Sequence, residues 1–204
     1  MLSNVITYAD VLRPRGRKFA SYYDLTLIVG GSVVIALSAR MAVMLPFSPV
    51  PVTGQTFAVL MAGALLGSRR GSLAVITYIA QGVAGLPVFA LGRAGPAVLL
   101  GPTGGYLIGF IAAAYITGIL AQRGWDRRVG TTILAMVLGN CAIYMPGLVW
   151  LVILTSVGNA LKMGFYPFIA GDFLKIVLAA AVLPAGWRVL RYCRSGEENR
   201  PQYR

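Results

Sequence analysis

Asp172 and Lys175 bring an acid and an amine into the segment Pro167-Phe168-Ile169-Ala170-Gly171-Asp172-Phe173-Leu174-Lys175, whose other residues suit lipid. Asp172 is the one acid inside any hydrophobic run of the chain. A charge at bilayer depth is costly, and it marks a functional site by default. A spacing of three on a helix puts both groups on one face, and Pro167 with Gly171 signals the start of that helix. Two readings are open here: a pair that grips a ligand, or an internal ion pair favoured by the helix N-terminus.

Other polar residues stand at the margins of apolar runs. Thr53, Gln55 and Thr56 end the rigid, uncharged stretch Pro46-Phe47-Ser48-Pro49-Val50-Pro51-Val52. Arg93 lies in the glycine-rich run Gly92-Arg93-Ala94-Gly95-Pro96, which continues to Gly101-Pro102-Thr103-Gly104-Gly105-Tyr106. Backbone N–H groups at such a helix start can meet an anion, so within the glycine ladder Gly101, Gly105 and Gly109 the residues Thr103, Gly104 and Tyr106 read as a ligand-facing turn. Asn140, Tyr144 and Trp150 share one run that Pro146 and Gly147 interrupt, and Asn140 either bridges helices or meets the ligand. Arg40 either snorkels to the interface or pairs with Asp172. Ser38 and Ala42 form a small-x-x-x-small pair in the first helix, suited to contact with a neighbour. Gly63, Gly67 and Gly71 repeat every four residues, which favours close helix packing.

Residue types that are missing narrow the chemistry further. Histidine is absent, which removes His-based triads, metal sites and proton relays. Cys141 and Cys193 fall far apart and suggest neither a disulfide framework nor a metal cluster. No metal or cofactor is expected. Met1 to Ala20 lacks an apolar core and does not read as a cleavable signal peptide.

These residues need elements to position them, and composition says which. Of 204 residues 57% are hydrophobic, with mean hydropathy +0.74, far above a soluble average. Six apolar runs follow: Leu25 to Leu45, Val52 to Leu66, Ser72 to Phe89, Gly104 to Ala121, Thr131 to Leu154 and Phe168 to Leu190. Most approach the roughly 20 residues a spanning helix needs. The net charge of +12 would suggest nucleic acid if it formed one face, but here it alternates with the runs and is topological. One side collects Arg13, Arg15, Arg17 and Lys18, then Arg69 and Arg70, then Arg123, Arg127 and Arg128, then Arg188, Arg191, Arg194, Arg200 and Arg204. The other collects Arg93 and Lys162. The expectation is an all-α, polytopic protein of the cell membrane, with six transmembrane helices and both termini cytoplasmic. Residues 1–24 form a basic cytoplasmic segment, 25–190 the membrane domain and 191–204 a basic cytoplasmic tail. Trp125 and Trp187 read as an interfacial belt. Membrane lipid is an expected partner and nucleic acid is not.

The chain resembles the BioY family, the substrate-binding membrane subunits of energy-coupling-factor (ECF) biotin transporters. The likeness rests on Pro49-Val50-Pro51-Val52-Thr53-Gly54-Gln55-Thr56-Phe57, Gly85-Leu86-Pro87-Val88-Phe89, Leu100-Gly101-Pro102-Thr103-Gly104-Gly105-Tyr106-Leu107-Ile108-Gly109, Tyr144 with Gly147 and Trp150-Leu151, and the Gly171-Asp172-x-x-Lys175 segment. These recur in the family's order across residues 36 to 185. The resemblance implies capture of biotin from outside and partnership with a transmembrane coupling subunit and two ATPase subunits. It also implies that Asp172 and Lys175 hold the ligand, that Thr53, Gln55, Gly104, Gly105 and Tyr106 line its pocket, and that Arg93 meets the carboxylate. Gly54, where the family more often has a larger apolar residue, and Arg40 depart from its pattern.

On that reading Asp172 accepts the N–H hydrogens of the biotin urea, Lys175 donates to its oxygen or neutralises Asp172, and Tyr106, Phe89 or Tyr144 packs the ring. The Ser38 and Ala42 face is a candidate contact with the coupling subunit. No Gly-x-x-x-x-Gly-Lys-Ser/Thr loop is present, so ATP use falls to partners. A self-sufficient proton-coupled transporter would want charges nearer the midplane and repeated halves. A membrane enzyme would want a second acid beside Asp172.

Overall fold

Apolar runs bounded by glycine, proline and charge become helices that cross from one end of a bundle to the other. The computed structural model describes residues 7–14 and 16–198, with side chains as far as Tyr192. Arg15, Arg200 and Arg204, and the side chains of Cys193 and Arg194, lie outside what is described. Among the described residues the long helices are α2 (Arg17–Arg40), α3 (Gln55–Leu66), α4 (Ser68–Val83), α6 (Gly104–Gln122), α7 (Val129–Leu154) and α9 (Tyr166–Glu198). Short helices α1 (Tyr8–Val11), α5 (Ala97–Leu100) and α8 (Val157–Gly164) sit at the ends, with a two-stranded hairpin of β1 (Ala42–Val43) and β2 (Val52–Thr53).

Each predicted run therefore holds one long helix. Among the described residues four stretches are long and apolar enough to cross a membrane: α2, α6, α7 and the α8–α9 stretch Val157–Tyr192. The helix α3, at 12 residues, is shorter. Its length of about 18 Å at 1.5 Å per residue falls short of a hydrocarbon core.

Helix α6 packs against α3, α4 and α7, and small residues let the backbones close in. A Cβ at Gly63 would strike Thr117 and Ala114 of α6, and one at Gly109 would lie 2.7 Å from the Ile143 carbonyl of α7. Gly67, at φ +86°, breaks the chain between α3 and α4. Gly63 and Gly71 thus lie on two helices that meet face to face, where a Cβ on Gly71 would come within 2.8 Å of the Gly63 Cα. The packing role expected of this ladder holds, but across a turn.

Four expectations change. The first helix ends at Arg40, because Ala42 and Val43 pair with Thr53 and Val52 in the hairpin. Ala42 is therefore off α2, and Ser38 lies against Gly54, so the small-residue face of Ser38 and Ala42 does not exist. The fifth run is one helix through Pro146; the neighbours of a membrane helix can absorb the backbone bond a proline loses. Trp187 is buried, with its Nε1 donating to Asp126 at 2.5 Å and Arg127 over its ring, so it packs the bundle and does not form a belt.

The two ends are chemically different. At one end the Tyr8 ring rests 4.5 Å from Trp187, and its hydroxyl donates to the Leu183 carbonyl of α9. Arg70 of α4 holds Asp10 at 2.7 Å and Asp24 at 2.8 Å, and Arg13 holds Asp24 at 2.6 Å. The opposite end carries the hairpin, the loop from Ala84 to Pro96, α5 and α8.

Candidate functional site

The end with the hairpin encloses a mostly apolar cavity, and each wall has a local reason for its place. The chain enters α3 through the extended β2 and Gly54, which turns Thr53, Gln55 and Thr56 inward with Pro51 and Val50 above them. Tyr78 comes from α4, Tyr106 and Phe110 from α6, Ile143 and Tyr144 from α7, and Phe168 from α9. Phe89 and Arg93 come from the loop after α4. That loop is pinned where the Phe89 ring fills the space a Cβ on Gly82 would take and meets Tyr78 edge-on at 5.6 Å. The cavity is narrow, ≈ 50 Å³, room for a few waters and well below the roughly 300–1,000 Å³ of small-molecule sites.

The structure brings Thr53, Gln55, Arg93, Tyr106 and Tyr144 together on the cavity wall. Asp172 and Lys175 stand one layer behind it. Asp172, 5% exposed, accepts from the Tyr144 hydroxyl, from Lys175 Nζ at 3.2 Å and from Thr56 Oγ1 at 3.4 Å. Lys175 donates to the Thr53 carbonyl at 2.9 Å, to Thr56 Oγ1 at 2.7 Å and to Asp172. Its three ammonium hydrogens are thereby all used. The internal ion pair is present, and Tyr144 and Thr56 separate it from the cavity.

Four further residues lie off the wall. Gly104 and Gly105 are packing positions: a Cβ on Gly104 would strike the Leu99 carbonyl, and one on Gly105 would strike Pro146 and Trp150 of α7. The two glycines let α5 and α7 close in on the start of α6, while Thr103 and Tyr106 of the same turn line the cavity. Asn140 is buried one turn below Tyr144, with its Oδ1 unpaired among the described residues. Arg40 does not reach Asp172; its Nη2 donates to the Pro87 carbonyl at 2.6 Å.

Hydrogen-bond directions give the wall a polarity. The protons of Tyr144 and Thr56 point at Asp172, and Thr56 also accepts from Lys175, so on these two wall residues what each hydroxyl oxygen has left is acceptor capacity. Tyr78 accepts from Gln55 Nε2 at 2.5 Å, which leaves its own proton to give. Tyr106 spends its proton on the Gly164 carbonyl at 2.9 Å and offers the cavity its ring. Among the described residues no hydrogen bond or ion pair holds the Arg93 side chain. Thr56 and Tyr78 also line the cavity, and sequence reasoning gave neither of them a ligand role.

The family model for the BioY family matches residues 13–192. A protein named biotin transporter BioY from Rhizobium etli is 36% identical over 157 residues, covering 73% of this chain and 84% of its own. One of the same name from Thermotoga maritima is 38% identical over 161 residues, covering 76% and 92%. The fold is similar to the crystal structure of the S-component for biotin from an ECF-type ABC transporter, with TM-score 0.73 and 25% identity, covering 86% of this chain and 95% of that one.

Proposed function

The chain belongs to the BioY family, and from that membership we propose that it is a membrane subunit that binds biotin and passes it inward with an ATP-driven ECF module. Six crossings with both termini cytoplasmic fit this role. The basic end, with Arg70, Arg123, Arg127 and Arg188, then faces the cytoplasm, and the cavity faces outward. The family is one of transporters, and the chain has no catalytic task in this reading.

The observation that carries the proposal is the polarity of the cavity wall. Biotin presents two urea N–H donors, a urea oxygen, an apolar bicycle and a carboxylate. The acceptor oxygens of Tyr144 and Thr56 suit the donors, and the Tyr78 hydroxyl suits the urea oxygen. Phe89, Phe110 and Phe168 suit the rings, and the Arg93 guanidinium suits the carboxylate as a charge-assisted partner. Asp172 and Lys175 act through the two oxygens they orient. A buried ion pair whose members are otherwise satisfied supports such fixed polarity, since removing one partner leaves the other uncompensated.

A coupling subunit and two ATPase subunits complete the machine, because the chain has no phosphate-binding loop of its own. The test begins with the purified chain, from which mass spectrometry identifies any small molecule carried along, followed by titration with biotin. Saturable biotin binding is expected; its absence ends the proposal. In vesicles, net uptake should require the ATPase subunits and ATP. Uptake by the chain alone, abolished by an uncoupler, would instead indicate proton coupling.

A further inference from the structure

We infer that Arg40 is a positioning residue, which holds the loop after α4 so that the Arg93 guanidinium stays free and turned toward the cavity. The inference rests on the reading of Arg93 as the partner of the ligand carboxylate.

The loop is fastened from below by its own helix. Gly95 N–H donates to the Gly82 carbonyl at 2.8 Å, Leu86 N–H to the Gln81 carbonyl at 3.1 Å, and the Phe89 ring occupies the notch at Gly82. Between Phe89 and Arg93 the backbone closes on itself: Phe89 N–H donates to the Arg93 carbonyl at 3.1 Å, and Gly92 N–H to the Phe89 carbonyl at 3.0 Å. Leu91 at φ 62° and Gly92 at φ +73° lie in the left-handed region, where a leucine is held at a cost. Such a turn persists when its surroundings over-determine it, and Arg40 supplies a tie from a second helix. Its Nη2 donates to the Pro87 carbonyl at 2.6 Å, and its Nη1 lies 3.2 Å from where a Gly92 Cβ would stand. One guanidinium thus touches both the entry and the exit of the turn that carries Arg93.

The division of labour follows from the two hydrogen-bonding states. Arg40, at the last residue of α2, is committed to a backbone carbonyl, and a cation at a helix C-terminus is favoured by the helix dipole. Arg93 follows Gly92 directly and lines both the cavity and the shallow cleft outside it. A planar fork reaches two points at once, whereas an ammonium reaches as a single point.

The test measures equilibrium binding of biotin and of its primary amide to the purified chain. Arg93→Gln should weaken biotin about ten- to a hundredfold, the range of a lost hydrogen bond to a charged group, and barely change the amide. Arg40→Gln should give the same acid-selective loss at smaller size, and the double variant should be no weaker than Arg93→Gln. Arg40→Lys keeps the charge but not the two-point reach and should retain most of the loss. Unchanged amide binding shows that each variant is folded. Equal loss for acid and amide in Arg40→Gln, no loss, or full recovery in Arg40→Lys each overturns the positioning role alone. An Arg93→Gln that weakens acid and amide alike overturns the reading of Arg93, and this inference with it.

Discussion

Three donors converge on the Asp172 carboxylate, from Tyr144, Thr56 and Lys175, and all three belong to different helices or to a different turn of the same one. Asp172→Asn swaps an acceptor oxygen for an N–H₂ where three donors converge and leaves the part-buried Lys175 cation without its counter-charge. Calorimetric titration with biotin should show affinity reduced by more than about tenfold, with helix content by circular dichroism unchanged. Thr56→Ser should bind nearly as the parent, while Thr56→Val should lose affinity comparably to Asp172→Asn; a Val variant that binds normally would remove Thr56 from the wall. The charged pair was conspicuous in the sequence because any charge in an apolar run stands out. The hydroxyls of Thr56 and Tyr78 leave no such trace, since threonine and tyrosine are ordinary residues in membrane helices. The recessed place of Asp172 was not legible either, because it depends on how α9 is rotated against α7 and α3.

Helices α3 and α6 touch where Gly63 meets Thr117 and Ala114, so that contact has no room for a methyl group. Gly63→Ala should lower stability by about 1–3 kcal/mol through overpacking, visible as an earlier thermal transition in detergent; an unchanged transition would mean that the helices separate freely. Above the cavity, the roof segment before β2 is latched by Ser48, whose hydroxyl donates to the Met163 carbonyl of α8 at 2.6 Å. If that latch holds the roof over the cavity, Ser48→Ala should speed both association and release of biotin, measured by stopped flow. Unchanged rates would place the gate elsewhere. At this scale the sequence was a good guide to which runs become helices and a poor one to where they end. Hydropathy continues from Arg40 through Leu45, but the backbone there turns to pair with Val52 and Thr53. Pro146 looked like an interruption and sits inside α7, and α8 was too short and mixed to register as an apolar run.

Across the whole molecule the basic end is closed by the N-terminal segment, which sequence reading had treated as a run of charges and no more. Tyr8 packs on Trp187 and against Gly186 of α9, while Asp10 binds Arg70 of α4 and caps its own short helix through Thr7. One segment thereby ties the far ends of α4 and α9. Burial alone would raise the Asp10 pKa, but the hydrogen bonds from Arg70 and Thr7, with the Arg70 charge, outweigh it and hold the carboxyl below its ordinary 3.8. A depressed folded-state pKa means that the stabilisation is complete above that ordinary value and is lost as pH falls through the folded one. Buried Asp126 runs the other way: desolvation raises its pKa against the opposing hydrogen bond from Trp187 and charge of Arg127, so its ionisation disfavours the fold as pH rises. The two signs separate by mutation. Asp10→Ala should destabilise the protein by about 1–2 kcal/mol near pH 7, the sum of a lost cap and a part-buried ion pair. The gap between the melts of Asp10→Ala and the parent should close as the pH is lowered below 3.8, because acid then removes from the parent what the mutation has already removed. A gap of equal size at both extremes would mean that Asp10 contributes through packing and that the charge of Arg70 is held elsewhere.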